Sequence, residues 1–129
     1  MIRRPMSYIP YDDGFDPPAP VVPLRVRLPG PDGWLQLMGL VDTGADITLI
    51  PQDIAERHLP LAGVVGLRGV TGDVQQAAVY RAETEIGGVA RVTLVAGFGN
   101  ETIVGSDVLN RLVLSLDGPA RQLILGSSF

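Results

Sequence analysis

Leu40-Val41-Asp42-Thr43-Gly44-Ala45-Asp46 runs an apolar strand straight into an acidic residue followed by small ones. Such a strand can carry a carboxylate to the floor of a cleft, and the small residues after it let backbone amides crowd around it. A carboxylate held there can act as a general base toward water. The plain alternative is a turn closing a hairpin. Turn chemistry alone does not require apolar residues on both sides, and here they are present. A second apolar strand, Ile103-Val104-Gly105, comes later and leads into a helix-like Asp107-Val108-Leu109-Asn110-Arg111-Leu112.

Other chemistries have little to work with. Cysteine is absent, which excludes disulfides, thiolate metal sites and a Cys nucleophile. The single histidine, His58, cannot build a multi-His metal site within one chain. It closes a short helical segment that begins after Pro51, where a cation suits the helix dipole. Ser-His-Asp chemistry is set aside on the same ground.

Taken together, the Asp42-Thr43-Gly44-Ala45 loop and the Ile103-Val104-Gly105 strand with its helix resemble the retropepsin-like aspartic proteases. These are the single-lobe, homodimeric, retroviral-type enzymes in which each half supplies one Asp. The resemblance covers residues 21 to about 126. It implies an all-β fold with one or two short helices, a small closed β-barrel. It also implies an aspartic endopeptidase with no metal or organic cofactor.

A peptide bond can be hydrolysed by water held between two carboxylates. Two carboxylates in contact cannot both ionise comfortably, so they share a proton. The chain carries one Asp-Thr-Gly, and Asp107 sits at a helix start, where a capping or dipole role is expected. The pair therefore needs Asp42 from two chains related by a two-fold axis. By resemblance, Thr43 holds the two loops together across that axis, Gly44 lets substrate approach the backbone, and Ala45 keeps the floor low. Leu40, Leu49 and Ile103 are expected to line side-chain pockets, with plain core as the alternative.

The residue matching Asp46 in the family contacts substrate backbone and is tied to an arginine directly after the second strand. Here that position is Ser106. Arg111, a helical turn beyond Asp107, is either a substitute partner or a solvated surface residue. Between the two motifs, Leu67-Arg68-Gly69-Val70-Thr71-Gly72-Asp73-Val74 resembles a flap, a hairpin that folds over bound peptide. Val70, Thr71 and Gly72 at its tip are then substrate-binding, through backbone groups that pair with an extended chain. An ordinary Gly-containing surface hairpin is the bland reading. Two rivals to a dimeric endopeptidase stay open. One is a catalytically inactive dimer that binds extended peptides, the other self-processing at Tyr8-Ile9-Pro10-Tyr11.

The elements that must position these residues are short strands. With 129 residues there is room for one domain, and 46% hydrophobic against 19% charged residues is a globular balance. Eight of the eleven prolines fall within the first 31 residues. Residues 1–20 therefore read as a Pro-rich N-terminal arm, poor in helix and ladder pairing, and 21–129 as the folded domain.

Leu24 to Leu28 alternates as a half-buried strand, and Gly30-Pro31-Asp32-Gly33 turns it into Trp34 to Val41. Further strands are expected at Ile47–Ile50, Val64–Val70, Val74–Ile86, Val89–Val95, Val113–Leu116 and Gln122–Leu125. Short helices are expected after Pro51 and at about 107–112. The net charge of −4, with all ten cations arginine and no basic stripe, argues against nucleic acid as a partner. No apolar run reaches the ~18 residues of a membrane span, and the start lacks an apolar signal core, so the expected location is cytoplasmic. The expected partners are a second copy, with the chain termini interleaved at the dimer base, and a peptide or protein substrate.

Overall fold

The computed structural model describes residues 6–69 and 71–126. They form ten strands and two short helices: β1 (Ser7–Pro10), β2 (Val21–Arg27), β3 (Trp34–Val41), β4 (Leu49–Ile50), α1 (Gln52–His58), β5 (Leu61–Arg68), β6 (Val74–Ile86), β7 (Val89–Gly97), β8 (Ile103–Val104), α2 (Ser106–Leu109), β9 (Val113–Asp117) and β10 (Gln122–Gly126). A 3-10 turn at Gly30–Asp32 joins β2 to β3.

Alternation along β2 builds the inner wall. Val22, Leu24 and Val26 are fully buried, while Arg25 and Arg27, alternating with them, are exposed. On the outside those two guanidiniums lie over the Trp34 ring and reach Glu85 and Glu83. The larger sheet runs β2-β3-β8-β4-β7-β6-β5, and β2 also pairs with β6 through Arg25↔Glu85 and Val26↔Thr84. The strand order thus returns on itself, and β5 lies outside the ring, against the first half of β6. Val22, Leu24, Val26, Ile50, Ile86, Val95, Val104 and Val108 fill the interior. The result is a mostly-β fold wrapped around one apolar core. Among the described residues no helix is long and apolar enough to cross a membrane.

Several boundaries differ from the sequence-based expectation. Only Leu49–Ile50 of the 47–50 segment is strand; the Thr48 amide and hydroxyl are taken by Asp107 of α2. Strand β5 starts at Leu61, β7 continues to Gly97, and α2 is a single turn. The Pro-rich arm, expected to avoid ladders, contributes β1, which pairs antiparallel with β10. Pro10 is tolerated there because it ends an edge strand, where the missing N–H costs no ladder bond. Farther on, Asp12 bridges to Ala19, and the Pro20 carbonyl accepts the Val41 amide at 3.0 Å.

Strand β10 also pairs with β9 over five residues, so the second sheet runs β1-β10-β9.

Candidate active site

Parallel pairing of β3 with β8 brings the two sequence motifs side by side, with Leu40 opposite Ile103 and Val41 opposite Val104. The ladder continues one residue further, where the Asp42 amide donates to the Val104 carbonyl at 3.0 Å. Past that point the chain turns tightly. The Gly44 amide donates to Asp42 Oδ1 at 2.9 Å, and the Ala45 amide to the Asp42 carbonyl at 3.2 Å. One carboxylate oxygen is thereby fixed by the loop's own backbone.

Gly105 permits the approach of the two motifs. A Cβ there would stand 2.7 Å from the Ala45 carbonyl oxygen and 2.9 Å from that of Ile47. Both contacts are with backbone that cannot swing away. Ser106, next in the chain, ties the Asp42 loop from beneath. Its amide donates to the Ala45 carbonyl at 2.8 Å and its hydroxyl to the Thr43 carbonyl at 2.9 Å.

Thr48 is the second tie, and sequence reasoning did not single it out. It is fully buried. Its amide donates to Asp107 Oδ2 at 3.2 Å and its hydroxyl to Asp107 Oδ1 at 2.8 Å, while Oγ1 accepts the Gly105 amide at 3.1 Å. Asp107 Oδ1 also accepts the Val108 amide of its own helix at 2.9 Å. The helix-start role expected for Asp107 is therefore present, but most of its carboxylate is committed to Thr48. The available signal was a hydroxyl inside the otherwise apolar Ile47–Ile50 run.

Above the loop, β5 and β6 extend as a hairpin. Its tip is closed by the Gly69 amide on the Asp73 carbonyl (2.9 Å) and the Gly72 amide on the Gly69 carbonyl (3.0 Å). Gly72 has φ +86°, a conformation that favours glycine. A cleft of about 890 Å³ separates hairpin and loop. Asp42, Gly44, Ala45 and Asp46 form its floor, and Leu49, Phe98 and Ile103 its apolar wall. Leu67, Arg68, Thr71, Asp73 and Gln75 face it from the hairpin.

Of the residues singled out from sequence, Asp42, Gly44, Ala45, Asp46, Leu49, Thr71 and Ile103 line this one cleft. Thr43 is exposed at the loop tip and Gly72 at the hairpin tip, both outside the lining. Leu40 lines a separate pocket of about 310 Å³, together with Phe15 and Met38. Val70 lies outside the described residues.

Arg111 does not reach Asp46. Its guanidinium donates to the Thr93 hydroxyl at 2.6 Å and to that of Thr84 at 3.5 Å. Burial pushes this guanidinium below its usual range, with Asp107 opposing the shift and Arg91 adding to it. The ion pairs among the described residues, Arg25–Glu85 and Arg27–Glu83, do not involve Asp46. No cluster of His, Asp or Glu among the described residues could hold a metal ion.

The sequence matches the family model described as retroviral aspartyl protease over residues 18–117. Among solved structures the chain is similar to EIAV protease complexed with the inhibitor HBY-793, at 25% identity and a TM-score of 0.53, covering 71% of this chain and 86% of that one. It is also similar in fold to a retropepsin-like aspartic protease from Rickettsia conorii, with 18% identity, a TM-score of 0.61 and 98% and 96% of the two chains covered. No curated protein sequence matches it.

Proposed function

The chain belongs to the retroviral aspartyl protease family, and on that premise we propose that it is a homodimeric aspartic endopeptidase whose paired Asp42 carboxylates activate water. The observation that carries this reading is the position of Asp42. It stands at the end of β3 on the floor of a cleft roofed by the β5–β6 hairpin, with Oδ1 held by the Gly44 amide at 2.9 Å.

One oxygen fixed by backbone leaves the other to meet water and a partner carboxylate. In the pair, the ionised member takes a proton from water as the water attacks the peptide carbonyl. The protonated member donates to the developing oxyanion, and the proton then passes to the leaving amine. The hairpin acts as the flap. Its backbone groups pair with an extended substrate, and its closure excludes water from the reacting bond. Leu49, Phe98 and Ile103 favour apolar side chains beside the cut. Asp46 takes part in holding substrate backbone. The working location is the cytoplasm, where a domain without cysteine lacks nothing.

A second reading, a dimer that binds extended peptides without cutting them, draws on one feature: Ser106 stands where the family's arginine is expected, and no ion pair among the described residues engages Asp46. Cleavage of a peptide library by wild type and Asp42→Asn, compared over a range from about pH 4 to pH 7, separates the two. Cleavage by wild type alone supports the enzyme. Binding without cleavage by either protein supports the second reading.

A further inference from the structure

Leu40 lines a pocket of about 310 Å³, yet its ladder partner is Ile103, part of the apolar wall of the Asp42 cleft. Residues opposed in a ladder point to the same face of the sheet. Pocket and cleft therefore meet at the Leu40–Ile103 step on one face of the β3–β8 pair. Asn100, Glu101 and Thr102, which run directly into Ile103, also border the pocket. Ligand pockets span about 300–1,000 Å³, so one of this size suits a single side chain of a longer chain.

The N-terminal arm supplies Asp12 and Phe15 to the same lining. Its backbone fixes them there. Asp12 and Ala19 exchange amide and carbonyl at 2.8 and 3.2 Å, and the Pro20 carbonyl takes the amide of Val41, the residue before Asp42. Phe15 is half-buried, although Gly14 and Asp16 on either side of it are exposed.

The chemistry of the lining is one-sided. Phe15, Met38 and Leu40 are apolar, Asp12 and Glu101 are acidic, and no lysine, arginine or histidine borders the pocket. Asp12 Oδ1 accepts the Gly14 amide at 2.8 Å, and the ion pairs among the described residues engage neither Asp12 nor Glu101. Met38 leaves 49% of its surface uncovered. Thr102 is only 8% exposed, with its methyl toward Gly39 and no described residue bonded to its hydroxyl. Among the described residues no fully enclosed side-chain oxygen lacks a partner, so this hydroxyl reaches open space, and the pocket is the space it borders.

We propose that this pocket selects a basic side chain of the substrate, arginine or lysine. The methylene stem lies along Phe15, Met38 and Leu40, and the cationic end meets Glu101 and Asp12. Long basic side chains bury the stem and keep the charged end wet, which fits apolar walls with exposed carboxylates beside them. An acidic side chain would instead face two like charges. The arm thereby serves as a specificity element. The inference rests on the protease reading and adds to its substrate a basic residue near the apolar ones that Leu49, Phe98 and Ile103 accept.

The probes are octapeptides with apolar residues at the two central positions and arginine, norleucine or glutamate at each other position in turn. With the full wild-type chain, one position is expected to favour arginine over norleucine about three- to fivefold in kcat/KM, the scale of an exposed ion pair, with glutamate the poorest. Glu101→Lys is expected to reverse that order at this position alone. Phe15→Ala is expected to lower kcat/KM there for arginine and norleucine alike, because it removes the wall under both stems. The absence of any position with a basic preference overturns the proposal, as does a preference that Glu101→Lys leaves intact. If no peptide is cut, fluorescence anisotropy of the same labelled peptides decides. A basic preference in affinity that Glu101→Lys reverses upholds the pocket and counts against proteolysis, whereas equal affinities or no binding overturn it.

Discussion

Thr48 and Asp107, 59 residues apart in the chain, grip each other through two hydrogen bonds, amide to Oδ2 at 3.2 Å and hydroxyl to Oδ1 at 2.8 Å. The same hydroxyl oxygen accepts the Gly105 amide, and the Thr48 carbonyl accepts the Ala96 amide at 2.9 Å. One buried residue thus fastens the Asp42 loop to β7, β8 and α2. Pre-organisation of Asp42 depends on this knot as much as on its own turn.

Thr48→Val keeps the shape and removes the hydroxyl, leaving Asp107 Oδ1 and the Gly105 amide short of a partner. The expected cost is about 1–3 kcal/mol, the usual penalty for stranding buried polar groups. Urea unfolding of both proteins measures it. Thr48→Ser, which retains the hydroxyl, should recover most of the loss; equal destabilisation by both variants would point to lost methyl packing instead.

Gly105→Ala and Gly44→Ala should separate sharply. At Gly105 the new Cβ meets backbone oxygens at 2.7 and 2.9 Å, so β8 or the Asp42 loop must shift, at about 1–3 kcal/mol. At Gly44 the closest atom is Asp42 Oδ1 at 3.3 Å, a side-chain oxygen able to give slightly. Thermal denaturation should show a lower Tm for Gly105→Ala and a near-native Tm for Gly44→Ala. In a cleavage assay Gly44→Ala is also expected to lose rate, because the oxygen it crowds is the one that anchors the Asp42 carboxylate to the loop.

Arg111→Met should be close to neutral, since the loss of the bonds to Thr84 and Thr93 is offset by relief of the desolvation that this half-buried guanidinium bears. Thr84 and Thr93 retain their own contact at 2.9 Å between hydroxyl oxygens. Activity should be unchanged, because neither Arg111 nor its partners Thr84 and Thr93 line the cleft. A large rise in KM with Arg111→Met would restore a link to Asp46.

Activity per chain should fall once the protein is diluted below its dimer dissociation constant, because the proposed site takes Asp42 from both copies. Initial rates across a dilution series test this. Strict proportionality to concentration at every dilution would place a complete site in one chain.

Much of this molecule is legible in local chemistry. Strands β3 and β6 have the bounds that hydrophobic alternation and turn residues predict, and the chain ends β3 at Asp42. The hairpin over the cleft follows from two β-patterned runs separated by Gly69 and Gly72. Seven of the residues singled out beforehand meet in one cleft, because the motif residues adjoin strands that pair directly.

Other features rest on who meets whom. Nothing near Thr48 names Asp107 as its partner, and nothing near Arg111 distinguishes Thr93 from Asp46. Those bonds exist only once loops distant in sequence have been brought within about 3 Å, the reach of a hydrogen bond. The fate of β1 is similar. Proline content describes a segment's own backbone preferences, whereas ladder pairing depends on an open edge elsewhere, here that of β10. Residue type and spacing were enough to nominate Asp42 and its cleft. The assembled sheets determined what holds Asp42 in place, because strand partners and buried hydrogen bonds are properties of the packed whole.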